Sequence, residues 1–145
     1  MLDLFSGSGA FGLECLSRGA ERAVMVEKAR AALDTIRRNE AALAPPPGAA
    51  VVIAGDAYRL TDVVAQNGPF DVVIVAPPYP HFVAERARLV ELLASLPPML
   101  AEGADVVVQS SAGDFASVRV AGLAPHDTRR MGTTDFTFLR ATGPG

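Results

Sequence analysis

The sequence predicts an α/β fold with a mostly parallel sheet, and three observations carry that prediction. Candidate strands and helices alternate at intervals of roughly 20–30 residues through about the first 110 positions, the rhythm of right-handed strand–helix–strand crossovers. The run Phe70-Asp71-Val72-Val73-Ile74-Val75 is apolar almost throughout, as in a strand covered on both faces. The first candidate strand leads directly into Gly7-Ser8-Gly9-Ala10-Phe11-Gly12, whose G-x-G-x-x-G spacing lets a chain turn tightly and start a helix with its amide groups facing a ligand.

Taken in order, residues 1–5 read as a short strand and Ala10 to Arg18 as a helix closed by Gly19. Ala23 to Val26 is a second strand, ending at Glu27-Lys28. A helix from Ala29 to Leu43 follows, with Ala32, Leu33, Ile36, Ala41 and Leu43 on an apolar stripe. Pro45-Pro46-Pro47-Gly48 stops it. Val51 to Ala54 is a third strand, Tyr58 to Gln66 a third helix, and Phe70 to Val75 a fourth strand that ends at Ala76-Pro77-Pro78-Tyr79-Pro80. A fourth helix over Phe82 to Leu96 and a strand over Ala104 to Gln109 continue the alternation. In the tail, Ser117 to Leu123 and Thr134 to Leu139 read as two strands with no helix between them, hence an antiparallel pair at one edge. The 145 residues show no internal repeat or low-complexity linker, and a single domain over 1–145 is expected.

Composition narrows the function classes. Half the residues are hydrophobic and a fifth are charged, as in a globular chain. No apolar run approaches the roughly 20 residues that span a bilayer, so no membrane partner is expected and the cytoplasm is the expected compartment. The single cysteine, Cys15, leaves no internal disulfide or cysteine-rich metal site, and it reads as a structural thiol on the first helix. A net charge of −3 argues against a strongly basic nucleic-acid footprint. Arg37-Arg38 and Arg129-Arg130 are adjacent pairs whose plainest reading is solvated surface. Neither His81 nor His126 has a partner at metal or triad spacing, and no metal is expected.

The chemistry lies at the strand ends, where ligands bind in such sheets. Glu27, 18 positions after Gly9, can accept hydrogen bonds from both hydroxyls of a ribose. Asp56 and Ala57 can offer a carboxylate and an amide to an adenine edge, or Asp56 can cap the helix after it. Either a dinucleotide or S-adenosylmethionine presents adenosine. Asp3, just before the loop, suits the cationic amino acid end of S-adenosylmethionine and is a poor neighbour for a pyrophosphate. Pro77 and Pro78 supply rigid carbonyls without amide donors, and Tyr79 a face on which a planar base can stack.

Leu2-Asp3-Leu4-Phe5-Ser6-Gly7-Ser8-Gly9 and Pro77-Pro78-Tyr79 resemble the motifs of class I S-adenosylmethionine-dependent amino-methyltransferases, which have a Rossmann-like sheet. Gly12-Leu13-Glu14-Cys15-Leu16-Ser17-Arg18-Gly19-Ala20 and Arg130-Met131-Gly132-Thr133-Thr134-Asp135-Phe136 resemble the RsmD family, which methylates the exocyclic N2 of a guanine in small-subunit (16S) ribosomal RNA. The resemblance implies that Asp3, Phe5, Ser6, Gly7, Ser8 and Gly9 hold the methionine part of S-adenosylmethionine, Glu27 the ribose, and Asp56 with Ala57 the adenine, with Lys28 a further cofactor-binding residue. It implies a catalytic segment at Ala76, Pro77, Pro78 and Tyr79, and a ribosomal RNA or small-subunit particle as partner; a monomer is expected.

Two departures stand out. The family places Asp or Asn where this chain has Ala76, so a side-chain acceptor is missing; Asp71, at the other end of the strand and roughly 16 Å away, cannot replace it. The family also carries a segment before the glycine loop that this sequence lacks. The alternatives are a catalytically impaired relative that binds cofactor or RNA without turnover, and a nucleotide-binding oxidoreductase supported only by G-x-G-x-x-G and Glu27.

Overall fold

The computed structural model describes residues 1–143. The chain divides into two compact units, Met1–Asn67 and the part from Gly68 onward.

In the first unit, β1 (Leu2–Asp3), α1 (Ala10–Ser17), β2 (Ala23–Glu27), α2 (Arg30–Leu43) and β3 (Ala50–Ala54) alternate as expected. The strands lie in the order β3-β2-β1, all parallel, with Leu2 opposite Val24 and Met25 opposite Val52. β2 is central because Ala23, Val24, Met25 and Val26 are all fully buried and leave nothing for water. α1 packs on it through Gly12, where a Cβ would stand 2.7 Å from the Met25 sulfur. Met25, Leu13 and Ile36 of α2 form the local core. Burying side chains of this size contributes about 1.5–3 kcal/mol each.

β1 is shorter than the strand expected over residues 1–5. The chain bends after Asp3 because Asp3 Oδ1 accepts from Phe5 N at 3.3 Å and the Asp3 carbonyl accepts from Ser6 Oγ at 3.0 Å. Local polar bonds of this kind compete with a sheet ladder and here replace it. The helix expected over Tyr58 to Gln66 is also broken, into a 3₁₀ turn (Ala57–Arg59) and α3 (Thr61–Ala65). Leu60, at the break, turns its side chain against Gly55, where a Cβ would lie 2.6 Å from Leu60 Cδ1.

The second unit holds β4 (Phe70–Val75), α4 (His81–Ala84), α5 (Arg86–Ala94), a 3₁₀ turn (Pro97–Met99), β5 (Leu100–Ser111), β6 (Leu123–Met131) and β7 (Thr134–Ala141). The strand order is β4-β5-β7-β6. β4 and β5 are parallel, with Val75 opposite Val108; β7 is antiparallel to both β5 and β6. The helix expected over Phe82 to Leu96 is interrupted at Glu85, whose φ of −120° leaves the helical range.

The tail corrects the expectation most. Residues 117–122 form no strand, only an isolated bridge from Val120 to Leu123, the first residue of β6: Phe115 and Val118 are buried under a turn-rich segment, and Phe115 meets Phe82 edge-on at 6.3 Å. The true partner of β7 is β6, joined to it through Gly132, whose φ of 62° only glycine adopts freely. β6 has one buried residue, Leu123, and eight exposed ones, so it carries no apolar alternation to read. A register shift between Pro125 and Asp127 accommodates the proline, which cannot donate to the ladder.

Candidate functional site

The glycine loop is assembled from three separate supports in the first unit. Gly7 and Gly9 have φ of 56° and 80°, a left-handed backbone that side chains resist. At Gly7 a Cβ would meet nothing within 4 Å, so that residue is there for its backbone; at Gly9 it would come 3.2 Å from Ile36. Gly7 N donates to Glu27 Oε1 at 2.9 Å, and Asn39 of α2 donates through its amide to the Ser8 carbonyl at 3.0 Å. Gly9 N donates to the Ser6 carbonyl at 2.8 Å, closing the turn into α1.

Asp3 sits at the start of this loop with no exposed surface. Its Oδ1 has the Phe5 amide, whereas its Oδ2 is buried and has no hydrogen-bond partner among the described residues. Burial pushes its pKa up, the Phe5 hydrogen bond pulls it down, and the Glu27 carboxylate adds to the rise, so that it stands at about 7. A buried acceptor left unpaired costs about 1–3 kcal/mol, and more when charged. Such an atom fits a cationic or hydrogen-donating ligand group delivered at the loop.

Glu27 is the hinge of the arrangement. Its Oε2 accepts from Ala29 N at 2.7 Å while Oε1 takes Gly7 N, so one carboxylate ties the end of β2 to the glycine loop and to the entry of α2. Each oxygen keeps a lone pair for a further donor. Lys28 is exposed beside it. Asp56 acts as a cap: its Oδ1 accepts from Tyr58 N at 3.0 Å, and its Oδ2 lies 3.9 Å from the exposed Arg59. Ala57 is buried behind it. Phe5 and Tyr58 meet edge-on with ring centroids 5.5 Å apart. Neither that ring pair nor the Asn39 prop was visible in the sequence, since each joins residues more than 30 positions apart.

In the second unit, Ala76, Pro77, Pro78 and Tyr79 follow β4. Ala76 is half-buried, Pro77 buried, and Tyr79 has 45% of its surface exposed. The Tyr79 hydroxyl lies 3.4 Å from Thr134 Oγ1. Hydrogen bonding from Thr134 and then from Gln109 lowers the phenol's pKa. Gln109, near the end of β5, has a buried Oε1 with no partner among the described residues.

The remaining candidates are structural. Arg130 forms a two-pronged pair with Asp135, Nε to Oδ1 at 2.7 Å, and Gly113 N also donates to that carboxylate at 2.9 Å. These bonds hold the Asp135 pKa down at about 2. Arg129 pairs with Asp127 and lies 5.3 Å over the Phe138 ring. His126, which has no partner at metal or triad spacing in the sequence, is 2.7 Å from Asp105, which also receives Arg140 Nε at 3.2 Å; strand pairing created a contact that sequence spacing could not reveal. Cys15 is half-buried, and burial raises its thiol pKa, the setting of an unreactive thiol.

Comparison with known proteins agrees with this geometry. The model of a family described as conserved hypothetical protein 95 matches residues 1–140. Ribosomal RNA small subunit methyltransferase D of Escherichia coli strain K12 is 42% identical over 79 residues, 54% of this chain and 37% of that protein. The solved Escherichia coli protein yhhF, named as a candidate methyltransferase, is 32% identical with a TM-score of 0.73, covering 97% of this chain and 73% of that one. SMU.776, a structure complexed with SAH, shares the fold at 12% identity and a TM-score of 0.74, over 95% of this chain and 44% of that one. The aligned stretches span from 22% to 42% of the length of the curated relatives. The α/β fold with parallel strands and an antiparallel C-terminal pair, the glycine loop and the family match agree, and the chain belongs to the conserved hypothetical protein 95 family of RsmD-like methyltransferases.

Proposed function

We propose that the chain transfers a methyl group from S-adenosylmethionine to the exocyclic N2 of a guanine in small-subunit ribosomal RNA. The observation that carries this reading is Asp3: a sealed acid with one unpaired oxygen at the start of a glycine loop. Its neighbour Glu27 has spare lone pairs, and together they suit an ammonium group and a ribose diol. The names of the relatives point the same way.

The bound cofactor supplies an electrophilic methyl on a sulfonium, which leaves as a neutral thioether. The protein therefore has little acid–base work to do, and positioning dominates. Asp3 and the loop from Phe5 to Gly9 hold the amino acid end, Glu27 with Lys28 the ribose side, and Asp56 with Ala57 the adenine. Pro77, whose ring leaves it without an N–H, presents a carbonyl to an amino group, and Tyr79 offers its ring as a stacking surface.

Calorimetry of the purified chain should show S-adenosylmethionine and S-adenosylhomocysteine binding. Incubation with small-subunit ribosomal RNA or particles and methyl-labelled cofactor should place label on a guanine amino group. Absence of heat with both ligands would overturn the cofactor assignment, and label on another atom or none would overturn the reaction. A second reading, cofactor or RNA binding without turnover, is favoured by one feature only: Ala76 presents a methyl where an acceptor could stand. If that methyl is what limits the chain, Ala76→Asp should increase labelling.

A further inference from the structure

The Tyr79 ring leads to a residue on the neighbouring strand. β4 and β5 run parallel with Val75 opposite Val108, so the next residues along the two strands are Ala76 and Gln109. Across the antiparallel pair, Gln109 stands opposite Phe136, and Ser111 opposite Thr134. Partners and alternate residues share a face in such a ladder, which puts Gln109, Phe136 and Thr134 on one surface. The Tyr79 hydroxyl reaches that surface, contacting Thr134 and hydrogen-bonding the Gln109 side chain.

Gln109 Oε1 is sealed from solvent and no described residue donates to it. Side-chain donors are absent just before Tyr79: Ala76 carries a methyl, and Pro77 and Pro78 lack even a backbone N–H. Buried carbonyl oxygens in native proteins are nearly always paired, so an orphan beside a half-exposed aromatic ring calls for a partner that arrives from outside. The Tyr79 hydroxyl contact with Thr134 is long, at 3.4 Å, and so holds the ring only weakly.

We propose that Gln109 is a substrate-contacting residue whose Oε1 accepts a hydrogen bond from the exocyclic amino group of the base stacked on Tyr79. The proposal rests on the methyl-transfer reading above and adds to it a specificity element: the one unpaired group among the described residues of this surface is an acceptor oxygen, which an amino-bearing base satisfies and a keto group leaves unpaired. One N–H of the amino group stays bonded to Gln109 while the nitrogen lone pair forms the new N–C bond. The S–C bond breaks with its electron pair remaining on sulfur, and the nitrogen's surplus proton leaves to solvent water.

The test compares wild type, Gln109→Leu and Gln109→Glu for cofactor affinity, melting temperature, kcat and the KM for RNA. Leu removes the acceptor with little change of volume, and Glu keeps an acceptor oxygen. Gln109→Leu should keep its cofactor affinity and melting temperature while kcat falls on the order of 10²-fold, the scale for loss of one oriented polar group. Gln109→Glu should stay within about tenfold of wild type, as a carboxylate still accepts. Full turnover in Gln109→Leu beside an active wild type would overturn this proposal alone. Loss of turnover in both variants with a lowered melting temperature would assign Gln109 to the fold and also overturn it. A wild type that binds cofactor but labels no RNA would overturn the parent reading, and the proposal with it.

Discussion

Replacing Asp3 by Asn tests the state of the buried acid directly. Asn matches Asp in shape but cannot ionise, so it removes the titration and leaves the packing of Leu2, Leu4 and Met25 in place. Burial raises the Asp3 pKa from an ordinary 3.8 to about 7. At 1.36 kcal/mol per pKa unit, that difference corresponds to about 4 kcal/mol of pH-dependent stability. The sign follows from linkage: an acid whose folded pKa exceeds its unfolded one supports the fold in its protonated form, fully below about pH 4, and loses that support as pH rises through 7. Urea denaturation of both proteins between pH 4.5 and 8 should show wild type losing stability relative to Asp3→Asn across this window. Above neutral pH the variant should be the more stable of the two. Cofactor binding should reverse the advantage, since the ammonium group pairs with the ionised acid; wild type should release a proton on binding near pH 7, detectable by calorimetry in buffers of different ionisation heat. Parallel denaturation curves for the two proteins would refute the reasoning, because they would mean Asp3 is not held protonated by its surroundings.

Three further outcomes are expected. Gly12→Ala gains up to about 1 kcal/mol of helix propensity but overpacks the fully buried Met25 at a cost of about 1–3 kcal/mol, so denaturant melts should show a net loss, and that loss should shrink when measured in a Met25→Ala background. Glu27→Gln puts an NH2 donor in place of one accepting oxygen, so it loses one of the two amide hydrogen bonds and weakens the other, and should reduce cofactor affinity about tenfold or more, read by calorimetry. Asp135, held at a pKa of about 2 by Arg130 and Gly113, should stabilise the tail hairpin above its ordinary value of 3.8 and stop doing so as pH falls through 2. Asp135→Asn should therefore lower the melting temperature at pH 7, and the gap to wild type should close near pH 2.

The sequence was legible where a pattern is local. The apolar run of β4, the buried Ala23 to Val26 of β2 and the glycine spacing each state their own structure within a few residues, and their positions match. Where long-range contacts decide, reading failed. β6 is exposed along nearly its whole length and becomes a strand because β7 offers it a ladder, and residues 117–122 resemble a strand because Val118 is buried beneath a loop. The same division holds for the site. Asp3, Glu27 and Tyr79 could be singled out from motif spacing, but Asn39 under Ser8, Asp105 beside His126 and Gln109 against Tyr79 depend on which elements become neighbours. Asp56 was open between two uses, and its side chain caps the Tyr58 amide.

The double grip of Glu27 on Gly7 and Ala29 has a kinetic meaning. On the proposed reading, the loop is held in shape before anything binds, because the acid that would greet a ribose is the same acid that bonds the loop. A diol arriving there adds its hydrogen bonds to oxygens whose positions are fixed, so little ordering remains to be done on encounter. Association should then be governed by diffusion into the cradle, and differences in affinity among ligands by how long each one stays.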